Sequence, residues 1–250
     1  RLMKERFGAT DPRSKMCRFH VQTAGTSLTA QSVDKNVVRT TLQALAAVLG
    51  GTQSLHTNAR DEALALPTPE TARLALRTQQ IIAHESGVTD TPDPLGGSYY
   101  IESLTDEVEV AAWSYLEEID EMGGAIAAID AGYQQRQIQD AAYRVQREIE
   151  AEEQVVVGVN RFTDDEKVTP TLQRIDPALE REQVARLDAL RSARDESQWA
   201  AALDRLEAVA RGTDNIVPAM IEAVKAKASL GEISDRLREV WGEYREVVTV

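Results

Sequence analysis

Two short stretches of the sequence concentrate the side chains that could do chemistry. They carry guanidinium, imidazole, amide, hydroxyl and carboxylate groups, in chain order Arg18, His20 and Gln22, then Ser54, His56 and Asn58, and shortly afterwards Asp61 and Glu62. Residues two apart in a strand point to the same side, so each spaced set would form one polar row. Such rows suit hydrogen bonding to a polar ligand, because a polar group buried without a partner costs about 1–3 kcal/mol.

Each of these residues also has a purely structural interpretation. A histidine in a strand is more often hydrogen-bonded in place than catalytic, which applies to His20 and His56 taken singly. Asp61 and Glu62 can equally be carboxylates favoured by the dipole at the start of a helix. The sequence shows no nucleophile elbow and no glycine loop with phosphate-binding spacing before a lysine. The two rows together favour a binding role.

Alternating strand and helix patterns would position both rows. The sequence predicts a strand over 14–23, a helix over 35–49 with Asp34 as its N-cap, a strand over 52–57, and a helix from Pro69 to about Ser86. The connections are tight, so the pattern predicts two βα units with parallel strands and an α/β fold. Polar groups at the ends of such strands lie where α/β proteins bind ligands.

The composition changes after residue 87, which predicts two parts, 1–87 and 88–250. The predicted elements of the second part are a β-prone stretch Tyr99–Ile101, a helix capped by Thr105 and running to Met122, helices at about 124–131 and 134–152, a buried strand over 155–160, a loose segment over 162–173, and helices over 176–197, 199–211, 215–228 and 232–247.

The charge and cysteine content exclude some classes of function. With 41 acidic and 28 basic residues, the formal charge of −13 argues against a general nucleic-acid binder, which needs clustered cations. Arg13, Lys15 and Arg18 form one local basic patch that could take an anionic ligand. No apolar run is long enough for a membrane span and no signal-peptide pattern is present, so we expect no membrane partner and a cytoplasmic protein. The single Cys17 excludes an internal disulfide, and we expect it to be a buried small hydrophobe.

The sequence also resembles a part of a longer protein. Residues 1–7 resemble the last turns of an amphipathic helix, with Gly8 as its C-cap. Two βα units cannot close a sheet, so if they belong to a barrel, about six more units lie outside this sequence. We therefore expect a fragment.

Longer motifs resemble one known family over essentially the whole chain, namely the large, substrate-binding subunit of the adenosylcobalamin-dependent acyl-CoA mutases, which include methylmalonyl-CoA and isobutyryl-CoA mutase. The motifs are Phe19-His-Val-Gln-Thr-Ala-Gly, Asn36-Val-Val-Arg-Thr, Gly51-Thr-Gln-Ser-Leu-His-Thr-Asn, Asp61-Glu-Ala-Leu-Ala-Leu-Pro-Thr, Asp93-Pro-Leu-Gly-Gly-Ser-Tyr-Tyr, Glu121-Met-Gly-Gly, Val157-Gly-Val-Asn and Gly231-Glu-Ile. The resemblance implies the last two βα units of a TIM barrel followed by a mainly helical C-terminal segment. It also implies a radical carbon-skeleton isomerisation of a branched or dicarboxylic acyl-CoA, with adenosylcobalamin as cofactor.

The resemblance carries over to individual residues as binding roles only. It implies contact with the adenosyl group by Gln22, Asn58 and Glu62, with the corrin face by Gly25, Glu62, Ala63 and Leu66, and with the CoA portion by Arg13 and Ser54. No catalytic acid or base and no metal ligand of this chain is implied, because the family's catalytic residues would lie upstream. His56 then becomes a structural or supporting residue.

Two departures bear on the branch of the family and its partners. Thr26 and Leu95 stand where methylmalonyl-CoA mutases usually carry Trp, which favours the isobutyryl type, in which the cobalamin domain can be a separate small subunit. No Asp-X-His-X-X-Gly motif occurs, so we expect a cobalamin-binding domain or subunit, the remaining barrel strands and an oligomer as partners. The alternative hypothesis is a truncated, non-catalytic barrel fragment that acts as a subunit-interaction module.

Overall fold

The computed structural model describes residues 1–163 and 170–245, which form a mostly helical α/β chain with one small parallel sheet. The described helices are α1 (Leu2–Glu5), α2 (Lys35–Leu49), α3 (Pro69–Glu85), α4 (Tyr99–Glu121), α5 (Ala125–Asp130), α6 (Tyr133–Glu150), α7 (Pro177–Ser192), α8 (Glu196–Ala210), α9 (Val217–Lys225) and α10 (Leu230–Trp241), and the strands are β1 (His20–Gln22) and β2 (Ser54–His56). Short 3-10 turns occupy Pro12–Lys15 and Gly25–Ser27.

The two strands pair in parallel, as the sequence predicted. His20 lies opposite Ser54 and Gln22 lies opposite His56, with α2 forming the crossover between them. Both strands are shorter than predicted. The start predicted at Ser14 is wrong, because the chain forms a 3-10 turn there and the side chain of Met16 is 60% exposed with no neighbouring strand to pack against.

Helices α2 and α3 form at the predicted positions and pack against each other. Pro69 stands at the start of α3, and the hydroxyl of Thr68 accepts the backbone N–H of Thr71 at 3.2 Å as an N-cap. The side chain of Asp34 does not cap α2 and binds Arg60 instead. The buried positions of α2 are Asn36, Thr40 and Ala44, and two of these three are polar, which is unusual for a core helix.

The β-prone interpretation of Tyr99–Ile101 is wrong, because these residues form the first turn of α4. Tyr99 is 95% exposed, so no sheet surface is present to favour an aromatic strand. The carboxylate of Glu102 accepts the N–H of Gly97 at 3.0 Å, which satisfies a donor at this helix start. Thr105 is not a cap, since its hydroxyl donates to the carbonyl of Ile101 inside the helix.

The strand predicted over 155–160 is also wrong. The segment takes part in a single bridge, between Val157 and Arg161, and three of its four valines, Val155, Val157 and Val159, are 37–43% exposed. The side chain of Asn160 accepts the N–H of Val156 and donates to the carbonyls of Ile149 and Gln154, each at 2.8 Å. These local bonds use the backbone groups that a strand would need for its neighbour.

The chain divides into two compact units, Arg1–Arg174 and a unit that begins at Ile175. The predicted division at residue 87 separates a sheet region from a helical extension, and it stays a prediction.

Cys17 is exposed, so its predicted burial is wrong, because it lies in the irregular segment before β1. Of the described helices, none has an apolar stretch of the length that a membrane crossing requires.

The second unit has a core of its own, built by α8, α9 and α10 around Leu203, Leu206, Ala223 and Ile233. The helix predicted to run to Ser197 ends at Ser192, because Asp195 caps a new helix through the N–H groups of Ser197 and Gln198. Helix α10 ends at Trp241, before Gly242 with φ of 72°. Its predicted end at Val247 lies outside the described residues.

Candidate functional site

The parallel pairing places the two predicted polar rows side by side. The ring Nδ1 of His20 lies 2.8 Å from the Oγ of Ser54 across the strand pair, and both side chains are exposed. His56 contributes its backbone carbonyl, which accepts the N–H of Thr23 at 3.1 Å and extends the ladder past the end of β1. The residues that follow each strand therefore converge at the carboxyl ends of β1 and β2.

Asn58 lies at the centre of this convergence and is only 2% exposed. Its backbone N–H donates to the Oγ1 of the buried Thr23 at 2.9 Å. Its Oδ1 accepts a hydrogen bond from the Nε2 of Gln22 at 3.1 Å. Its Nδ2 is buried and has no hydrogen-bond partner among the described residues. The side chain is thus held through one atom, and its second polar atom is a buried donor without a partner, which calls for an explanation.

Gly25 completes the cluster because it has no side chain. A Cβ at this position would stand 3.0 Å from the Nδ2 of Asn58 and 3.8 Å from the Cγ and Oε1 of Glu62. Three predicted site residues from two segments of the chain, Gly25 on one and Asn58 and Glu62 on the other, thus lie close together. Together with Gln22 they form what we call the Asn58 cluster.

The adjacent carboxylates Asp61 and Glu62 have different roles. Asp61 is 1% exposed, and its Oδ2 accepts the hydroxyl of Thr71 at 2.9 Å and the N–H of Thr68 at 3.4 Å, so it ties the loop to the start of α3. Glu62 is exposed and lines a cleft of about 350 Å³ with His56 and residues of α3. The bonds of Oδ2 give Asp61 a structural role, although its buried Oδ1 has no partner among the described residues, and Glu62 remains available to a ligand.

The remaining predicted residues lie around or away from the cluster. Ala63 and Leu66 follow Glu62 in the same loop, and the side chain of Leu66 is 59% exposed. Ser54 faces His20. Arg13 is exposed in the first 3-10 turn, where Asp11 holds its backbone N–H at 2.8 Å, and across residues 1–163 and 170–245 no hydrogen bond joins Arg13 to the Asn58 cluster. Within the same ranges, no three His, Cys, Asp or Glu residues lie close enough to hold a metal ion.

Sequence reasoning missed three residues that support the cluster. These are Thr23, which binds the backbone of Asn58, and Asn36 and Gln43 of α2, which bind the backbone of the two loops. A signal was present for the last two: Asn36, Thr40 and Gln43 place polar groups at helical spacing within a helix that is otherwise largely apolar.

A parallel βα pair with converging amide and carboxylate groups at its strand ends belongs to the α/β class, in which ligands commonly bind at this edge of the sheet. Comparison with known proteins narrows that class. The family model described as methylmalonyl-CoA mutase matches residues 1–243, and the chain belongs to this family.

Curated relatives align along nearly the whole chain. The large subunit of 2-hydroxyisobutanoyl-CoA mutase from Aquincola tertiaricarbonis is 49% identical over 98% of this chain and 44% of its own length. Methylmalonyl-CoA mutase from Rhizobium meliloti is 46% identical over 100% of the chain and 36% of its own length. The Escherichia coli enzyme of the same name is 48% identical over 95% and 34%. The chain thus spans between a third and a half of these relatives.

Proposed function

We propose that the chain is the C-terminal part of the substrate-binding subunit of an adenosylcobalamin-dependent acyl-CoA mutase. It would supply the last two βα units of a TIM barrel and the helical segment after them. The activity, isomerisation of a branched or dicarboxylic acyl-CoA, belongs to the complete cytoplasmic protein, with its remaining barrel strands and a cobalamin-binding domain or small subunit in an oligomer. Membership of the mutase family supports the reaction class.

The observation that carries the proposal is the state of the Asn58 side chain. Its Nδ2 is a buried donor without a partner among the described residues, and it lies so near Gly25 that a Cβ there would come within 3.0 Å of it. A buried donor is costly unless a ligand uses it. A ribose or purine acceptor of the adenosyl group suits this donor, so the residues present fit the cofactor that the family implies.

Three side chains would hold the adenosyl group. Gln22 fixes the orientation of the Asn58 amide by donating to its Oδ1, which leaves Nδ2 to donate to the ligand. The carboxylate of Glu62 can accept hydrogen bonds from ribose hydroxyls, and charge-assisted bonds of this kind are among the stronger ones. These groups bind and orient, and none of them transfers a proton.

The corrin face would lie against the small and apolar members of the site. Gly25, Ala63 and Leu66 offer little or no polar side-chain surface, and Leu66 exposes 59% of its residue surface. An exposed leucine beside a polar cluster suits contact with a flat macrocycle, which would bury its apolar surface and exclude water. Glu62 would lie where the corrin and adenosyl contacts meet.

The CoA portion would be held by Arg13 and Ser54. The exposed guanidinium of Arg13 can pair with a phosphate through two parallel N–H donors. The hydroxyl of Ser54, already oriented by His20, can bond an amide or hydroxyl of the pantetheine arm.

When bound, adenosylcobalamin supplies the radical chemistry that removes a substrate hydrogen and allows the thioester-bearing group to migrate. The part of this chain is to keep adenosine, corrin and acyl-CoA in register.

The test uses the complete protein together with its cobalamin-binding domain or subunit. We expect cofactor-dependent isomerisation of at least one branched or dicarboxylic acyl-CoA. Asn58→Ala should reduce both turnover and cofactor affinity. The control Asn215→Ala removes an amide that accepts the N–H of Val217 at the start of α9, and it should change stability alone. An absence of isomerisation across both substrate classes would refute the proposal.

A non-catalytic interaction module is the second candidate, and exposed apolar residues favour it. On α4, Val108 and Val110 are 60% and 68% exposed, so their apolar surface is accessible to a partner protein. The sequence upstream of Arg1 separates the two candidates, since further βα units there support the mutase.

A further inference from the structure

Two irregular segments meet at the Asn58 cluster. The first runs from Ala24 to Thr29 and contains Gly25, and the second runs from Asn58 to Glu62. Neither belongs to a strand or an α-helix, apart from the single 3-10 turn at Gly25–Ser27. Their positions must therefore be fixed by hydrogen bonds from neighbouring elements. Thr23 and the start of α3 make some of those bonds to the second segment, and helix α2 makes bonds to both segments.

Gln43 of α2 holds the first segment on both sides of Gly25. Its Oε1 accepts the backbone N–H of Ala24 at 2.6 Å, and its Nε2 donates to the Oγ of Ser27 at 2.6 Å. The hydroxyl of Ser27 donates in turn to the carbonyl of Ala24 at 2.7 Å. Gly25 thus lies within a closed ring of hydrogen bonds that the helix anchors.

Asn36 of α2 is fully buried and joins the two segments. Its Nδ2 donates to the carbonyl of Thr29 at 2.8 Å and to the carbonyl of Arg60 at 2.9 Å. Its Oδ1 accepts the N–H of Thr29 at 3.1 Å and the Nη1 of Arg39 at 2.7 Å. The amide is therefore fully paired, and one of its partners lies midway between Asn58 and Glu62.

Asn36 and Gln43 act from one rigid element. They are seven residues apart, which is about two turns and places them on the same side of the helix. Thr40, between them, is also buried. A core helix would ordinarily present apolar side chains here, because buried amides stabilise a fold only when every polar atom is paired. The hydrogen bonds of Asn36 and Gln43 are directed at the two segments of the site.

We propose that Asn36 and Gln43 are positioning residues of the cofactor site, which set the separation between the Gly25 segment and the Asn58–Glu62 segment. The inference rests on the proposed function, because it assigns these residues to the binding of the adenosyl group. The separation matters because the space beside Asn58 Nδ2 is bounded by Gly25 at the distance of a tight contact. A small relative shift of the segments would close that space or move the donor out of reach.

Three substitutions change these bonds in distinct ways. Asn36→Asp keeps the shape but turns the Nδ2 donor into an oxygen that faces the carbonyls of Thr29 and Arg60, which would push the segments apart. Gln43→Met removes both hydrogen bonds of the Gln43 side chain and keeps a side chain of similar volume. Gln43→Glu keeps the acceptor for Ala24, but the Ser27 hydroxyl can donate to it only by giving up its bond to the Ala24 carbonyl, so this variant should restore part of the function.

The experiment measures cofactor binding to the complete protein with its cobalamin-binding domain or subunit. Dissociation constants are determined for adenosylcobalamin and for hydroxocobalamin, which lacks the adenosyl group, alongside the melting temperature. Asn36→Asp and Gln43→Met should raise the constant for adenosylcobalamin on the order of ten- to a hundredfold, with a smaller change for hydroxocobalamin. Leu206→Ala, in the separate core of the second unit, should lower the melting temperature and leave both constants unchanged.

The ratio of the two dissociation constants distinguishes an effect on positioning from an effect on stability, since a loss of folded protein weakens the apparent binding of both ligands equally. If wild-type protein binds adenosylcobalamin and Gln43→Met leaves the ratio unchanged, the inference is overturned and the proposed function stands. If wild-type protein does not bind adenosylcobalamin, the proposed function is overturned and the inference with it. Should Asn36→Asp fail to fold, the comparison of Gln43→Met with Gln43→Glu decides the outcome alone.

Discussion

Replacing Gly25 by alanine perturbs the proposed cofactor site by a single methyl group. The new Cβ would lie 3.0 Å from the Nδ2 of Asn58 and 3.8 Å from the Cγ of Glu62. The φ angle of Gly25 is outside the left-handed region, so alanine can adopt this backbone without strain. The effect should therefore arise from the space beside Asn58 and not from the turn itself.

The expected effect on stability is small because two terms oppose each other. Adding a methyl group to a packed region costs about 1–3 kcal/mol, and Gly25 is only half-buried, which favours the lower end. Alanine also restricts the unfolded chain, which stabilises the fold by about 0.4–1 kcal/mol. The free energy of unfolding should then fall by no more than about 2 kcal/mol.

The expected effect on binding is a several-fold change in the dissociation constant for adenosylcobalamin. If the methyl group displaces Nδ2 from its ligand acceptor, the lost hydrogen bond is worth about 0.5–1.5 kcal/mol, which corresponds to a dissociation constant raised by roughly two- to thirteenfold. Spectrophotometric titration with adenosylcobalamin and a thermal melt measure the two effects. Gly231→Ala is the matched control, since a Cβ there meets nothing within 4 Å and should leave binding unchanged. Wild-type affinity in Gly25→Ala would contradict the proposed use of this space.

Two further predictions concern carboxylates. Glu62→Gln should weaken adenosylcobalamin binding without changing the melting temperature, whereas Glu70→Gln, an equally exposed change in α3, should alter neither; equal binding by both variants would refute the role of Glu62. In the second unit, burial alone would raise the pKa of Glu232, but the N–H of Ser229 and the guanidinium of Arg194 outweigh it and lower that pKa to about 2. The stabilising effect should be present above pH of about 4.5 and be lost as the pH falls toward 2. In Glu232→Gln the melting temperature should depend less on pH over that interval, and the same pH dependence as in the wild type would contradict this.

Local patterns predicted the elements that surround the site. The helical spacing of apolar residues placed α2 over its observed range, Thr68 and Pro69 fixed the start of α3, and the short connections indicated parallel strands. The two-residue period also placed Gln22 and Asn58 at neighbouring strand ends, where they bond to each other. These signals succeed because they depend on residues that are close in the chain.

Predictions failed where the outcome depends on a partner that the sequence does not reveal. Tyr99 and Tyr100 have high β-propensity, but that propensity arises from packing against a neighbouring sheet. Here the two residues begin α4, and the carboxylate of Glu102 accepts a backbone N–H at the start of that helix. The apolar run over 155–160 lacks a neighbouring strand, and Asn160 binds its backbone instead.

The supporting residues of the site were missed for a related reason. Asn36 and Gln43 bind backbone atoms of two loops, and the course of those loops follows from the assembled fold. Their polar character within a core helix is visible in the sequence, but the atoms they bind are not.

The central claim is that Asn58 donates a hydrogen bond to the adenosyl group, and a crystal structure of the complete protein with adenosylcobalamin tests it most directly. The account predicts an adenosyl oxygen or nitrogen within about 3.2 Å of Nδ2, with Gly25 alongside and the Gln22 bond to Oδ1 retained. An adenosyl group bound elsewhere, with Nδ2 still lacking a partner, would contradict it.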